Sequence, residues 1–273
     1  MRVLRLLCDR YRVVVLSSSP GRFPQLREAG ALPLHGDLDK PETLGRLGGL
    51  VDTVLHLAPP PAQGQIDSRT RHLLQALARR PGVRRIVYGS TTGVYGDAGG
   101  DWLDETRGVA PLSDRARRRV DAEHQLRRFA TRFGVAVSLL RIPGIYARDR
   151  TGGHPRDRLV RATPVLRAAE DVYTNHIHAD DLARACVAAL RHAMPMRAVN
   201  VCDDSTMLMG DYFDLAADLC GLPHPPRVSR AEFAELVSPM ALSFVSESRR
   251  LDNTRMKTEL GMRLRYPTVH TGI

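Results

Sequence analysis

Three consecutive hydroxyl side chains, Ser90-Thr91-Thr92, follow an apolar stretch that ends at Tyr88. Residues 83–88 predict a short buried strand. In an open parallel sheet, ligands bind just beyond the carboxyl ends of the strands, so a hydroxyl there can donate to a substrate carbonyl or alcohol. The alternative is that these hydroxyls only satisfy backbone groups at a turn. These residues alone leave both interpretations open.

Such a site requires a parallel sheet, and the order of elements predicts one. Apolar strands alternate with helices, which is typical of βαβ units. The strands are predicted at 12–16, 31–35, 52–57, 83–88, 135–140 and 198–201, and the main helices at 23–29, 69–80, 114–133 and 179–192. We expect residues 1–150 and 172–204 to form the sheet part, and residues 151–171 and 205–273 a smaller lobe.

Composition excludes several classes of protein. No run approaches the length of a transmembrane helix, and no segment resembles a signal peptide, so we expect no membrane association. The four cysteines are widely spaced without a CxxC motif, which argues against a metal site or disulfide framework and fits a reducing cytoplasm. The net charge of +10 comes from dispersed arginines, and aromatic residues make up only 5%. We therefore expect no nucleic-acid partner.

Short motifs occur in a fixed order along nearly the whole chain: GDL (36–38), HLA (56–58), STTGVYGD (90–97), RIPGIY (141–146), IHADDLA (177–183) and SRRLDNTRMKTELG (248–261). Each is weak alone, but together they resemble the extended short-chain dehydrogenase/reductases, which include the NAD-dependent epimerases and dehydratases. The resemblance implies an α/β fold, with a Rossmann-like doubly wound parallel sheet that binds NAD(P) and a small C-terminal substrate lobe.

The resemblance also implies roles for individual residues. Thr91 corresponds to the catalytic serine or threonine that hydrogen-bonds the reacting oxygen. Asp37 would accept from the adenine amino group, and residues 57–59 would pass under the ribose and pyrophosphate. The implied cofactor-binding residues are Ser17, Ser18, Arg22, Asp37, Leu38, Leu57, Ala58, Pro59, Ser90, Arg119, Ile142 and Pro143.

The end of the second family strand suggests which cofactor is preferred. Family members specific for NAD carry an acidic residue where this chain has Ser17. Ser17, Ser18 and Arg22 instead offer donors for a 2′-phosphate, which a carboxylate would repel. We therefore expect NADP, with NAD as the alternative cofactor. An ordinary exposed turn remains the competing interpretation of these residues.

The family's acid/base pair, a tyrosine and a lysine four residues later, is absent from the sequence. The only lysines are Lys40 and Lys257, and neither follows a tyrosine at that spacing. Alignment on residues 121–123 places Arg115 at the tyrosine position and Arg119 at the lysine position. An arginine cannot act as a general acid near neutrality. Candidate replacements are Asp97, Asp114, His176 and His178, although a structural role is expected for His178.

The start of the chain also departs from the family pattern. Family members open with a strand and a GxxGxxG loop, whereas the first glycine here is Gly21. We expect a helix at residues 2–9 and no strand between those at 12–16 and 52–57, as if about ten residues of strand and loop were missing before Met1. The rival hypothesis is that MRVLRLL is itself the first strand.

Three functions follow from the resemblance. The first is an atypical NAD(P)-dependent oxidoreductase or epimerase that acts on a carbonyl or sugar-nucleotide substrate. The second is a nucleotide-binding sensor or regulator without turnover, and the third is an incomplete chain that binds nothing. A small-molecule substrate is the expected partner, and a homodimer is the candidate assembly.

Overall fold

The computed structural model describes residues 1–80, 82–150, 152–192 and 195–273, without the side chain of Met240. The helices are α1 (Arg2–Leu7), α2 (Phe23–Glu28), α3 (Ser68–Ala78), α4 (Asp114–Phe133), α5 (Arg156–Val160), α6 (Ala179–Arg191), α7 (Met209–Cys220), α8 (Arg230–Leu236), α9 (Pro239–Val245), α10 (Thr254–Glu259) and α11 (Val269–Gly272). The strands are β1 (Val14–Ser17), β2 (Leu32–His35), β3 (Thr53–His56), β4 (Arg85–Thr91), β5 (Trp102–Leu103), β6 (Ala136–Ile142), β7 (Gly144–Tyr146), β8 (Val165–Leu166), β9 (Tyr173–Thr174), β10 (His176–His178), β11 (Arg197–Asn200), β12 (Met207–Leu208), β13 (Arg227–Val228) and β14 (Arg250–Leu251). No helix of these ranges is long and apolar enough to cross a membrane.

The central sheet is parallel, with the strand order β11-β6-β4-β3. Its interior residues alternate between two apolar faces, because side chains along a strand point to opposite sides. Ile86 and Tyr88 pack in the cluster that contains Leu126 of α4, whereas Val87 packs with Cys186 of α6. A helix layer therefore covers each face, and the predicted Rossmann-like α/β fold is confirmed.

Strand β4 is longer than the sequence pattern predicted. The predicted strand ended at Tyr88, but Ser90 and Thr91 continue the ladder opposite Arg141 and Ile142 of β6. Parallel pairing with an equally long neighbour extends the strand into the hydroxyl run. The predicted end of the strand was therefore too early, and of the three hydroxyl residues only Thr92 lies in the 3₁₀ turn that follows.

The first two strands form a separate parallel pair, β1–β2. Residues 2–7 are helical, as predicted, so the rival interpretation of MRVLRLL as a strand is wrong. Among the described residues, no strand pairs between β1 and β3. A small apolar cluster that contains Leu4, Leu26 and Ala31 supports the pair.

Several elements of the second half of the chain surround a second large apolar cluster. It contains Tyr146 of β7, Phe213 of α7 and Phe233 of α8. Helices α5, α8 and α9 were not predicted from the sequence. The assignment of residues 151–171 and 205–273 to a substrate lobe stays a prediction.

Candidate functional site

Three neighbouring strands carry exposed or half-buried side chains at the carboxyl edge of the central sheet. Leu57 follows β3 and is 45% exposed, while Thr91 ends β4 and Ile142 ends β6, both half-buried. A Cβ on Gly89 would lie 2.9 Å from Leu57 Cδ2 and 3.4 Å from Ile142 Cδ1. The missing side chain at Gly89 therefore lets the two apolar groups approach each other across β4 and form an apolar floor.

The hydroxyl of Thr91 is fixed at the end of this floor. Its Oγ1 accepts a hydrogen bond from the Gly93 backbone N–H at 3.3 Å and donates to no described residue. The turn ends at Gly96, which has a φ of +69°. A Cβ at this position would lie 2.1 Å from the Ala110 carbonyl oxygen, so only glycine fits here. The Thr91 proton is therefore free for a ligand oxygen.

A buried ion pair lies beside Thr91. Ser90 Oγ donates to Glu123 Oε1 at 2.6 Å, and Arg141 Nη2 donates to Glu123 Oε2 at 2.9 Å. The Glu123 and Arg141 side chains are 3% and 4% exposed. Ser90 thus points into the interior toward α4, while Thr91 reaches the open edge.

Arg119 occupies the predicted lysine position and reaches the same strand. Its Nη1 donates to the Gly89 carbonyl oxygen at 2.8 Å and to the Tyr88 hydroxyl at 2.9 Å. One turn earlier on α4, the Arg115 guanidinium lies 5.2 Å above the Phe244 ring of α9. Neither arginine supplies a proton near neutrality.

The four candidate replacements for the acid/base are held in structural contacts. Asp97 accepts from the Ser248 backbone N–H at 2.7 Å, which is the main cause of its lowered pKa. Asp114 is the first residue of α4 and pairs with Arg117, and the Ser113 side chain caps the helix. Burial lowers the pKa of His176 to about 3 and also lowers the pKa of His178, whose Nδ1 caps α6.

The ends of β1 and β2 carry the residues predicted for the adenosine half. Asp37 Oδ1 accepts from the Asp39 backbone N–H at 2.9 Å, and its other carboxylate oxygen accepts from no described residue. The Ser17 hydroxyl turns back to the Ser19 backbone N–H at 3.2 Å. Ser18 and Arg22 are exposed, and Arg22 forms no ion pair within the described ranges.

Comparison with known proteins identifies the family. A sequence model of the "NAD dependent epimerase/dehydratase family" matches residues 2–202. The chain belongs to this family. No curated protein matches the chain. Among solved structures, a functionally unknown conserved protein from Silicibacter pomeroyi DSS is 32% identical with a TM-score of 0.80, and the match covers 99% of this chain and 92% of that one.

Two further solved structures share the fold at lower identity. A UDP-glucose 4-epimerase from Thermotoga maritima, solved with UDP-glucose, is 21% identical with a TM-score of 0.79, and the match covers 99% of this chain and 91% of that chain. A UDP-glucuronic acid 4-epimerase from Bacillus cereus, solved in complex with NAD, is 18% identical with a TM-score of 0.74, and the match covers 99% and 92%. The expected relationship to the epimerases and dehydratases is thus confirmed.

The chemistry of this edge fits two parts of the nicotinamide dinucleotide that the epimerase/dehydratase family uses. The open apolar floor of Leu57 and Ile142 suits a ribose and a nicotinamide ring, and the free carboxylate oxygen of Asp37 suits an amino group. The pyrophosphate has no glycine-rich cradle within the described ranges, where the first glycine is Gly21. Ala58 is half-buried and Pro59 is exposed, and the Pro59 carbonyl oxygen accepts from Arg69 at 3.1 Å, which holds that loop.

The sequence did not indicate the roles of three residues of the candidate site. Glu123 served only to align the long helix, and Arg141 was only part of a motif, yet their ion pair fixes Ser90. The available signal was an arginine within the apolar strand SLLRI, since a buried charge requires a partner. Phe244 was also missed, because nothing local predicts that α9 meets α4.

Proposed function

We propose that the protein is an atypical nicotinamide-dinucleotide-dependent oxidoreductase or epimerase that prefers NADP and acts on a carbonyl or sugar-nucleotide substrate. The observation that carries the proposal is the open floor of Leu57 and Ile142 around Gly89, with the unengaged Thr91 proton at its end. Two epimerases that share the fold, one solved in complex with NAD and one with UDP-glucose, add support.

The adenosine half of the dinucleotide would bind at the ends of β1, β2 and β3. Asp37 would accept from the adenine amino group, with the half-buried Leu38 beside the ring. Ser18 and Arg22 would hold the 2′-phosphate near Ser17, because guanidinium and hydroxyl groups donate to phosphate and no carboxylate opposes it. Residues 57–59 would lie under the ribose.

The other half would bind at the ends of β4 and β6. Arg119 would donate to the ribose hydroxyls, and the half-buried Ile142 and Pro143 would flank the nicotinamide. The bound dinucleotide supplies a hydride donor or acceptor. Thr91 would donate to the reacting substrate oxygen and orient it.

A second function is supported by the acid/base candidates. Asp97, Asp114, His176 and His178 are all engaged in helix, turn or interior contacts. A member of the family that binds the dinucleotide without turnover, as a sensor or regulator, agrees with that observation.

Calorimetric titration with NADP and NAD, together with a hydride-transfer assay on carbonyl and UDP-sugar substrates, tests both functions. We expect NADP to bind more tightly than NAD, and Thr91→Ala to abolish turnover while leaving dinucleotide affinity unchanged. Thr131→Ala, at an exposed position of α4, is the control. Binding without turnover would support the sensor, and the absence of dinucleotide binding would contradict both functions.

A further inference from the structure

The first turns of α4 carry an unusual concentration of positive charge. Arg115, Arg118 and Arg119 lie within five residues of one another. Residues four positions apart share one face of a helix, so Arg115 and Arg119 project from the same side. These are the two positions that the alignment places at the family's tyrosine and lysine, and here this side of the helix presents two guanidinium groups.

Only one nitrogen of the Arg119 guanidinium is hydrogen-bonded to described residues. Its Nη1 makes both of its hydrogen bonds, to Gly89 and Tyr88 at the end of β4. Its Nε and Nη2 donate to no residue of the described ranges. The bonds from Nη1 fix the direction of the side chain, so two donors are held in place beside the sheet edge.

Arg115 makes no hydrogen bond or ion pair within the same ranges. Its guanidinium stacks on Phe244, an arrangement that covers one face and leaves the N–H groups at the edge free. Although the side chain is exposed, partial desolvation and the charges of Arg119 and Arg118 lower its pKa, while Glu247 raises it.

The nearby carboxylates already have partners. Glu247 pairs with Arg249 at 2.7 Å, with side chains that are 11% and 12% exposed. Glu123 pairs with Arg141. The Nε atoms of Arg249 and of the buried Arg118 have no hydrogen-bond partner among the described residues. Positive charge at this end of α4 therefore exceeds the negative charge available to it.

The start of α4 packs on the turn that holds Thr91. The Gly93 backbone N–H donates to Thr91 Oγ1, and a Cβ on Gly93 would lie 3.8 Å from Ala116 Cβ, next to Arg115 in the helix. Because Arg119 reaches Gly89, two residues before Thr91, the two arginines and the free hydroxyl border one region.

We propose that Arg115, together with a donor of Arg119 that the ribose hydroxyls leave free, binds an anionic group of the substrate, a carboxylate or a phosphate, next to the oxygen held by Thr91. This inference rests on the proposed function and names its substrate class: an acidic small molecule rather than a neutral carbonyl compound. A guanidinium binds either anion through two parallel N–H bonds, which a lysine at the same position cannot provide.

Thermal-shift and calorimetric titrations with malonate, inorganic phosphate and neutral glucose test the site. We expect saturable stabilisation of the unaltered protein by malonate or phosphate and none by glucose. Arg115→Ala should weaken that binding at least tenfold, and Arg115→Lys should only partly restore it. Arg117→Ala, which removes an equal charge from the opposite face of α4, should leave anion binding unchanged. Equal loss in both alanine variants would overturn the inference.

A second experiment distinguishes a binding site for a substrate anion from one for a phosphate of the cofactor. In the presence of saturating NADP the anion should still bind, and Arg115→Ala should retain NADP affinity. Loss of NADP affinity in Arg115→Ala would assign this arginine to the dinucleotide and overturn the substrate inference. NADP binding without any anion binding would overturn this inference alone, whereas loss of NADP binding in the unaltered protein would contradict the proposed function instead.

Discussion

The Glu123 carboxylate and the Arg141 guanidinium form an ion pair at 2.9 Å inside the protein, between helix α4 and strand β6. Glu123 also accepts from Ser90, whereas Arg141 Nη1 is buried without a partner. Because this pair borders the strand that ends in Thr91, it links the stability of the fold to the geometry of the candidate site.

Removing one charge of this pair should be costly. Glu123→Gln leaves the Arg141 charge uncompensated, so we expect the free energy of unfolding to fall by about 3–5 kcal/mol. Urea denaturation measures the change. Glu259→Gln, in the more exposed pair with Arg197, is the control and should cost much less. Equal decreases in the free energy of unfolding of the two variants would show that the buried pair contributes no more to stability than the exposed one.

Ionisation of Asp203 should lower the free energy of unfolding as the pH rises. Burial, assisted by the charge of Asp204, raises its pKa to about 7, and the Tyr146 hydroxyl lies 3.5 Å from its Oδ2. The folded state therefore retains a proton that the unfolded state loses near pH 4. Between these values the free energy of unfolding should decrease by up to about 1.4 kcal/mol per pH unit from this group.

Asp203→Asn should remove the contribution of this one proton to the change of the free energy of unfolding with pH. Denaturation curves collected from pH 4 to pH 8 give the comparison. Asp101→Asn, at an exposed aspartate, should leave the slope as it is. A slope that is the same in Asp203→Asn and the unaltered protein would mean that Asp203 titrates alike in both states.

A buried chain of hydrogen bonds joins the end of β3 to the start of α3. Thr70 Oγ1 donates to Asp67 Oδ2 at 2.8 Å and lies 2.9 Å from His56 Nε2. Burial lowers the pKa of His56 to about 3, so the neutral ring must donate through Nε2. Thr70→Val would leave a buried donor and acceptor unpaired, at a cost of roughly 1–3 kcal/mol each. Thr131→Val, at an exposed hydroxyl of α4, provides the baseline in the same denaturation assay.

Arg22 should determine the choice between the two dinucleotides. We expect Arg22→Ala to weaken NADP binding by roughly tenfold, the scale of one exposed charge-assisted hydrogen bond, and NAD binding by much less. Calorimetry on both ligands measures the ratio. Arg27→Ala removes an equal exposed charge from the adjacent helix and should change neither affinity. Equal losses for NADP and NAD in Arg22→Ala would contradict the 2′-phosphate assignment.

The two arginines should prevent a tyrosinate mechanism. Any turnover by the unaltered protein should show a pH profile without a tyrosine-like pKa, because Arg115 stands at the tyrosine position. Installing Arg115→Tyr together with Arg119→Lys restores the family pair and should raise hydride transfer to carbonyl substrates. Arg115→Phe with Arg119→Lys lacks the hydroxyl and is the matched control. Activity that is typical of the family in the unaltered protein, governed by a tyrosine, would contradict the alignment of α4.

Features that depend on residues close together in the sequence could be predicted. Alternating apolar strands and helices predicted the parallel sheet, and residues 2–7 are helical as the spacing of Val3, Leu4 and Leu7 indicated. The order of the motifs predicted the family, although no single motif was specific.

Contacts between distant segments could not be predicted in this way. The extension of β4 to Thr91 depends on its pairing with β6, and the stacking of Arg115 on Phe244 joins residues 129 positions apart in sequence. Helices α8 and α9 are seven residues each, too short for a decisive apolar period. The candidate acid/base residues were selected by residue type alone, and only the fold shows that Asp97, Asp114 and His178 already have polar partners and that His176 is buried.

The separation of β1–β2 from the central sheet has a consequence for cooperativity. The pair has no ladder hydrogen bonds to the other sheet among the described residues and is joined to the main apolar cluster by partly buried side chains such as Leu16 and Leu34, so it can open as a unit before the central strands do. We expect its backbone amides to exchange with solvent earlier than those of β4 and β6. A dinucleotide that contacts both sheets would couple the two units, so amide exchange in residues 14–35 should slow the most when it binds.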